Sequence, residues 1–298
     1  TGTKVGIEGT YSPDLSGVNG RALAQKIARG EWKPLQDKQN VDPIDGCDLI
    51  STLDVRMQDI AHKALLRALE YHEADHGCVV LMEVKTGAIK AIANLSRTEV
   101  DTYYEEYNYA VGERAEPGST FKLPALIAAL EDGLLDTSQM VDTKRGVFKF
   151  FGNEMYDSRI GGYGEISLAE AFEHSSNIGL ARTINEAYAK NPQTLIDRFY
   201  KMNLMDPTGV ALLGEPEPQF PEPGKANWSG ISLPWMATGY GLELTPLQTL
   251  AFYNAIANDG KLMRPYLVSA LQREGRVLNT VKPVSYTHLR AHETSLHL

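Results

Sequence analysis

The sequence predicts an α+β protein, and three observations carry that expectation. Two apolar runs, Cys78 to Val84 and Ala88 to Leu95, are separated only by Lys85-Thr86-Gly87, the pattern of a β-hairpin with glycine in the turn. Helical periodicity appears before that hairpin and in several segments after it. Strand-like segments return further on, so the helices lie between two groups of strands instead of alternating with them one for one. There is no internal repeat.

Composition bounds the answer further. A chain of 298 residues is one large domain, or one domain with a smaller appendage. Its hydrophobic fraction of 43% is ordinary and supports a real core. The formal net charge of -9 argues against a nucleic-acid surface, because phosphate binding needs clustered Lys and Arg. The two cysteines, Cys47 and Cys78, are too few for a disulfide framework and lack zinc-ligand spacing. Cys78 opens the run Cys78 to Met82 and reads as a buried free thiol. No run approaches the roughly 18 apolar residues of a spanning helix, and no signal-peptide pattern is present.

Taken in order, residues 1–50 are rich in Gly, Asp, Lys and Gln and read as an extended linker or the edge of a preceding domain. Asp54 caps a helix whose apolar positions Ile60, Ala64, Leu65, Ala68 and Leu69 are expected on one face. The hairpin follows, then a tyrosine-rich stretch from Tyr103 to Tyr109. Glu116-Pro117-Gly118-Ser119 leads into a helix through Leu123, Leu126, Ile127 and Leu130 that ends near Gly133; Pro124 inside it removes one backbone donor. Residues 141–166 read as strands and loops, with Gly161, Gly162 and Gly164 as turns. Ser167-Leu168-Ala169-Glu170 is a capping box for a short helix. The chain breaks at Ser175-Ser176-Asn177 and resumes as a helix through Ile178, Leu180, Ala181 and Ile184. Residues 214–228 form a Pro/Gly-rich loop. Thr245-Pro246 starts a helix that runs to about Asn258 and stops at Gly260. Residues 285–298 hold His288, His292 and His297 without apolar periodicity. They read as a non-native tail with no structural or functional role, so the main domain is placed at 51–284.

Two short motifs carry chemistry. Ser119 and Lys122 stand three residues apart at a helix start, so both side chains fall on one helical face. A serine needs a base to become a nucleophile, and a lysine serves if burial or a nearby cation lowers its pKa. The helix N-terminus adds unpaired N–H groups that favour a developing anion. Alone, Ser-x-x-Lys is common, and Ser175-Ser176-Asn177 alone reads as a helix cap. The ordered pair of motifs is far rarer than either.

That pair, written out as Glu116-Pro117-Gly118-Ser119-Thr120-Phe121-Lys122 and then Ser175-Ser176-Asn177, resembles the first two active-site motifs of the class B penicillin-binding proteins. The resemblance extends to Gly6-Ile7-Glu8-Gly9, Ser51-Thr52-Leu53-Asp54 with Gln58, and the Lys85-Thr86-Gly87 hairpin. It also takes in Thr245-Pro246-Leu247-Gln248 and Ala257-Asn258-Asp259-Gly260. It runs from about residue 5 to 283 and is strongest toward the division-specific, septum-building member, with the elongation-specific member second. What it implies is a transpeptidase or serine β-lactamase-like fold, an antiparallel sheet flanked by helices. Residues 1–50 become the end of an N-terminal pedestal region.

The resemblance also implies a mechanism. Ser119 attacks the carbonyl between two D-alanines of a peptidoglycan stem peptide, and Lys122 accepts its proton. Ser175 relays a proton to the leaving amine, and Asn177 hydrogen-bonds the substrate amide. β-Lactams act as inhibitors, no metal or organic cofactor is needed, and there is no nucleic-acid partner. Full-length members sit on the periplasmic face of the inner membrane and engage membrane proteins of the division machinery. The family's third motif, Lys-Thr-Gly on a strand, follows the second by well over a hundred residues. The only Lys-Thr-Gly here is at 85–87, a turn with no catalytic role, so the domain is expected to be incomplete at its C-terminus. A β-lactam sensor shares the same residues. A class A β-lactamase would need a Glu-x-x-Leu-Asn loop, and none follows the second motif.

Overall fold

The computed structural model describes residues 6–26, 31–34, 40–100 and 102–288. Its central element is the predicted hairpin. Strands His76–Met82 and Ile89–Arg97 pair antiparallel, with Val80 opposite Ile92, and the two-residue strand Tyr103–Tyr104 adds to the second. Gly87 closes the turn at φ +79°, and a Cβ there would lie 2.4 Å from the Arg264 carbonyl oxygen, so conformation and space both demand glycine. Among the described residues no strand pairs with the outer edge of His76–Met82.

Helix Val55–His72 packs on this sheet. Asp54 caps it as expected, accepting from the N–H groups of Arg56 and Met57. Leu65 and Leu69 meet Ala93 and Leu95. The expected apolar face was too broad: Ala61, Leu65 and Leu69 are buried, but Ala64 and Ala68 are exposed and Ile60 is 66% exposed. Adjacent stripes on a helix point about 100° apart, and a single sheet can cover only one of them.

The second lobe is helical. Helices Lys122–Glu131, Asn177–Tyr188, Gln193–Lys201 and Pro246–Ala257 surround the largest core cluster, together with the short helix Ser232–Met236. Phe121, Phe199 and Phe220 meet there with ring centroids 5.1–5.8 Å apart. The predicted capping box of Ser167 with Glu170 forms, and the expected helix start at Thr245-Pro246 proves to be a second one, Thr245 with Gln248. Helix Gln193–Lys201 was not expected, although it buries Leu195, Ile196 and Phe199. Within 141–166 the strands are Met140–Asp142 with Glu165–Ser167, and Val147–Phe150 with Asn153–Tyr156.

Two segments differ from the sequence reading. The expected linker is more ordered than its composition implied. It contains helices Gly6–Thr10 and Ser12–Leu15, a small hairpin of Ala24–Lys26 with Trp32–Pro34, and strand Asp48–Ser51. That last strand pairs with Val268–Arg273, more than two hundred residues away, a partner no local pattern could announce. At the other end, Ser285–His288 forms a strand antiparallel to Lys261–Met263. This pairing runs through the backbone, so it needs none of the apolar periodicity that the segment lacks. His292 and His297 lie outside the described residues.

Candidate active site

Glu116-Pro117-Gly118 delivers the chain into a 3₁₀ turn, Gly118–Phe121, which passes directly into helix Lys122–Glu131. Pro124 is the third residue of that helix. An N–H there has no intrahelical acceptor in any case, so the expected loss of a donor costs little. Phe121 is buried in the aromatic core and anchors the turn from below.

From the other side the turn is gripped by residues 239–253. Gly118 N–H donates to Gly239 O at 3.0 Å, and Ala115 and Leu244 exchange two backbone bonds of 3.0 Å. Gly241 N–H donates to Glu116 Oε1 at 2.8 Å, and the Tyr253 hydroxyl donates to Thr120 O at 2.8 Å. A Cβ on Gly239 would lie 1.9 Å from Gly118 O, so the two backbones leave no room for a side chain. The sequence showed Gly239 only as one glycine among many.

Lys122 points inward and is 1% exposed. Its Nζ donates to Ser175 O at 2.6 Å, Ser175 Oγ at 2.9 Å and Asn177 Oδ1 at 2.7 Å. These three acceptors match the three donors of an ammonium group. Among the described residues no carboxylate lies within ion-pairing distance of it. Burial pushes its pKa from the ordinary 10.5 down to about 8, with the charge of Asp157 acting in the opposite direction.

The acceptors come from a tightly built turn. Helix Leu168–Glu173 ends in a Schellman arrangement: Ser176 N–H reaches Ala171 O at 2.8 Å, and Ser175 N–H reaches Phe172 O at 2.9 Å. Ser175 takes the left-handed position, φ +53°, which glycine usually fills. The cap reading and the site reading of Ser175-Ser176-Asn177 are both realised, on different residues. Ser176 is buried and caps helix Asn177–Tyr188 by accepting from Gly179 N–H, while Ser175 and Asn177 face the lysine. The Asn177 amide donates Nδ2 to Tyr156 O at 2.8 Å, which turns its oxygen toward Lys122.

Of the four predicted residues, the structure thus joins Lys122, Ser175 and Asn177 in one hydrogen-bonded cluster. Ser119 stands beside it on the same helical turn as Lys122. Its side chain is exposed, and among the described residues its hydroxyl makes no hydrogen bond, so the hydrogen-bonded cluster stops at the lysine. Lys85 in the hairpin turn is 70% exposed and pairs with Asp259 at 3.5 Å, with no contact to this cluster. Sequence reasoning missed Asp157, whose carboxylate supports the turn from behind. Among the described residues no group of three or more His, Cys, Asp or Glu is placed to hold a metal ion.

Comparison with known proteins identifies the family and the fold. The family described as the penicillin binding protein transpeptidase domain matches residues 77–296. The chain is 28% identical over 272 residues to the peptidoglycan D,D-transpeptidase FtsI of Escherichia coli K12, covering 89% of this chain and 44% of that protein. It therefore spans under half the length of that relative. The crystal structure of penicillin binding protein 3 from Mycobacterium tuberculosis in its apo form superposes with a TM-score of 0.78 at 25% identity, covering 97% of this chain and 61% of that one. The same protein complexed with ampicillin gives a TM-score of 0.76 at 25% identity, covering 94% and 59%. The matched span, more than half of the chain, and the shared fold place this protein in the penicillin-binding protein transpeptidase family.

Proposed function

We propose that the chain is the acyl-transfer part of a peptidoglycan D,D-transpeptidase acting in septal cell-wall synthesis, with Ser119 as nucleophile and Lys122 as its base. The observation that carries this reading is the lysine: an amine buried one helical turn from an exposed serine, held by neutral oxygens only, and with a pKa lowered to about 8. A carboxylate in contact would keep that amine protonated and useless as a base.

The Ser119 oxygen attacks the carbonyl between the two D-alanines of a stem peptide, and its proton passes to the neutral Lys122 amine. The carbon–nitrogen bond then breaks, and the proton moves through the Ser175 hydroxyl to the departing amine. This leaves an ester on Ser119. An amine from a neighbouring stem attacks the ester, gives its proton back along the same path, and frees Ser119 as the cross-link forms. Asn177 positions the substrate amide, and the Ser119 N–H supplies one donor for the oxyanion. A β-lactam enters the same sequence, but its leaving amine stays tethered by the opened ring and blocks the acceptor. The substrate places the working protein on the periplasmic side of the inner membrane. Among the described residues no helix is long and apolar enough to cross that membrane.

The test is acylation by a fluorescent penicillin of a completed protein, in which the C-terminal strands of the E. coli relative continue the chain past residue 284. A stable adduct mapped by mass spectrometry to the Ser119 peptide is expected. Rapid hydrolysis of the drug would assign a β-lactamase instead, and a folded protein with no adduct on Ser119 would defeat the reading.

Ser175→Gly separates stability from activity. Glycine relieves about 1–2 kcal/mol of left-handed backbone cost and keeps the carbonyl that Lys122 uses, while one hydrogen bond worth about 1 kcal/mol is lost. The melting temperature of the completed protein should hold or rise by up to about 4 °C. Penicillin acylation should fall about a hundredfold, because the proton relay is gone. Calorimetry and stopped-flow labelling of the same sample check both halves.

A further inference from the structure

We propose that Asp157 is a positioning residue for this site: its carboxylate holds the Ser175–Asn177 turn in place and sets the electrostatic field at the Lys122 amine. Asp157 directly follows strand Asn153–Tyr156 and is 8% exposed. Both its oxygens accept from the Ser176 hydroxyl, each at 3.0 Å, and Oδ1 also accepts from Ile178 N–H at 3.1 Å. Ser176 and Ile178 flank Asn177, so one carboxylate fixes the backbone on either side of a residue that touches the lysine. Tyr156, the neighbour of Asp157, accepts from the Asn177 amide and fixes its orientation. Two consecutive residues at the end of one strand thereby determine where the lysine's acceptors stand. The inference takes its catalytic meaning from the function proposed above.

The charge of Asp157 has no ion-pair partner among the described residues. Lys122 is the cation it acts on, through the turn and without contact, and it raises the lysine's pKa against the larger effect of burial. Several titratable groups on the surrounding elements are engaged elsewhere. His174 stacks on Tyr163, Glu154 binds the Tyr156 hydroxyl and Lys149, and Arg182 donates to Asp142 O and pairs with Glu186. A carboxylate in contact with the amine would hold it protonated, and no carboxylate at all would leave a buried cation unsupported. A carboxylate one layer back does neither.

This arrangement makes a prediction of sign. Asp157→Asn keeps the shape and one acceptor but removes the charge, so the Lys122 midpoint should fall below about 8. If Asp157 merely packed the turn, the same substitution would loosen it, let water reach the amine, and move the midpoint up toward the ordinary lysine value. Ser176→Ala provides the contrast: the charge stays and the turn loosens, so the midpoint should rise. The experiment is an NMR titration of isotope-labelled lysine side chains in the 298-residue chain, with the Lys122 signal assigned by its loss in Lys122→Met. An unchanged or raised midpoint in folded Asp157→Asn overturns the electrostatic role. A fall or no change in Ser176→Ala overturns the positioning role, and that variant remains informative if Asp157→Asn does not fold. The titration requires no turnover, so its outcome is independent of whether Ser119 forms an adduct. In the completed protein, the acid limb of penicillin acylation should follow the midpoint downward in Asp157→Asn, with the plateau reduced about tenfold.

Discussion

Lys122→Met in the completed protein should slow acylation of Ser119 by about a hundred- to ten-thousandfold, the usual weight of a positioned general base. Methionine matches the length of the lysine stem but cannot accept a proton. It also removes the pH dependence that the lysine imposes. In the wild type the neutral amine is the active form, so the rate should rise about tenfold per pH unit up to about 8 and level off above it. The variant should show a low, flat profile across the same limb. A stability measurement gives a second sign. The amine's pKa is lowered on folding, so between about 8 and 10.5 the unfolded chain binds the extra proton, and stability rises with pH across that window. Lys122→Met should lose this part of the slope. A wild-type limb centred near the ordinary lysine value, or a variant that labels at the wild-type rate, would show that Lys122 is not the base.

The second large effect concerns the 298-residue polypeptide against the protein extended with the C-terminal strands of the E. coli relative, the completed protein of the test above. The chain ending at Leu298 should label with a fluorescent penicillin about a hundred- to a thousandfold more slowly than the completed protein, the effect of losing one oxyanion donor. Its only Lys-Thr-Gly is the hairpin turn, with Lys85 exposed, and the outer edge of His76–Met82 has no partner strand among the described residues. By family resemblance a strand carrying that tripeptide supplies the second oxyanion N–H and contacts the ligand carboxylate. An open edge also invites intermolecular pairing, so gel filtration must accompany the labelling to separate a slow site from an aggregated chain. The three samples are the chain, the completed protein, and the completed protein with Ser119→Ala, which should not label. Fast, Ser119-dependent labelling of the chain alone would refute the requirement for that strand.

What the sequence made legible was what depends on near neighbours. The hairpin, the Asp54 cap, the capping box at Ser167 and the helix start at Thr245-Pro246 each rest on residues within a few positions of one another, and all appear where predicted. Lys122, Ser175 and Asn177 were found as motifs, and their convergence is a fact of tertiary structure that the spacing alone did not contain. Asp157 was invisible because its partners Ser176 and Ile178 lie about twenty residues further on, beyond a strand and a helix, and an aspartate after a short strand looks like any turn residue. Gly239 was invisible for the same reason, since its need for glycine is set by Gly118 more than a hundred residues earlier. The exposed stripe of Ile60, Ala64 and Ala68 shows the converse error: apolar periodicity reports which surfaces can be covered, and the described sheet covers only one of them.

The left-handed backbone at Ser175 has a consequence for how this protein tolerates change. Selection that reads only folding, such as a screen for expression or heat resistance, meets a position where glycine fits at least as well as serine. Such a screen is blind to the loss of the hydroxyl, or mildly rewards it. On the function proposed above, selection on cell-wall synthesis would see the same substitution as severe. On that reading, designs guided by thermal stability alone would drift at Ser175 toward well-folded but slow proteins, and a functional readout has to hold that one position fixed.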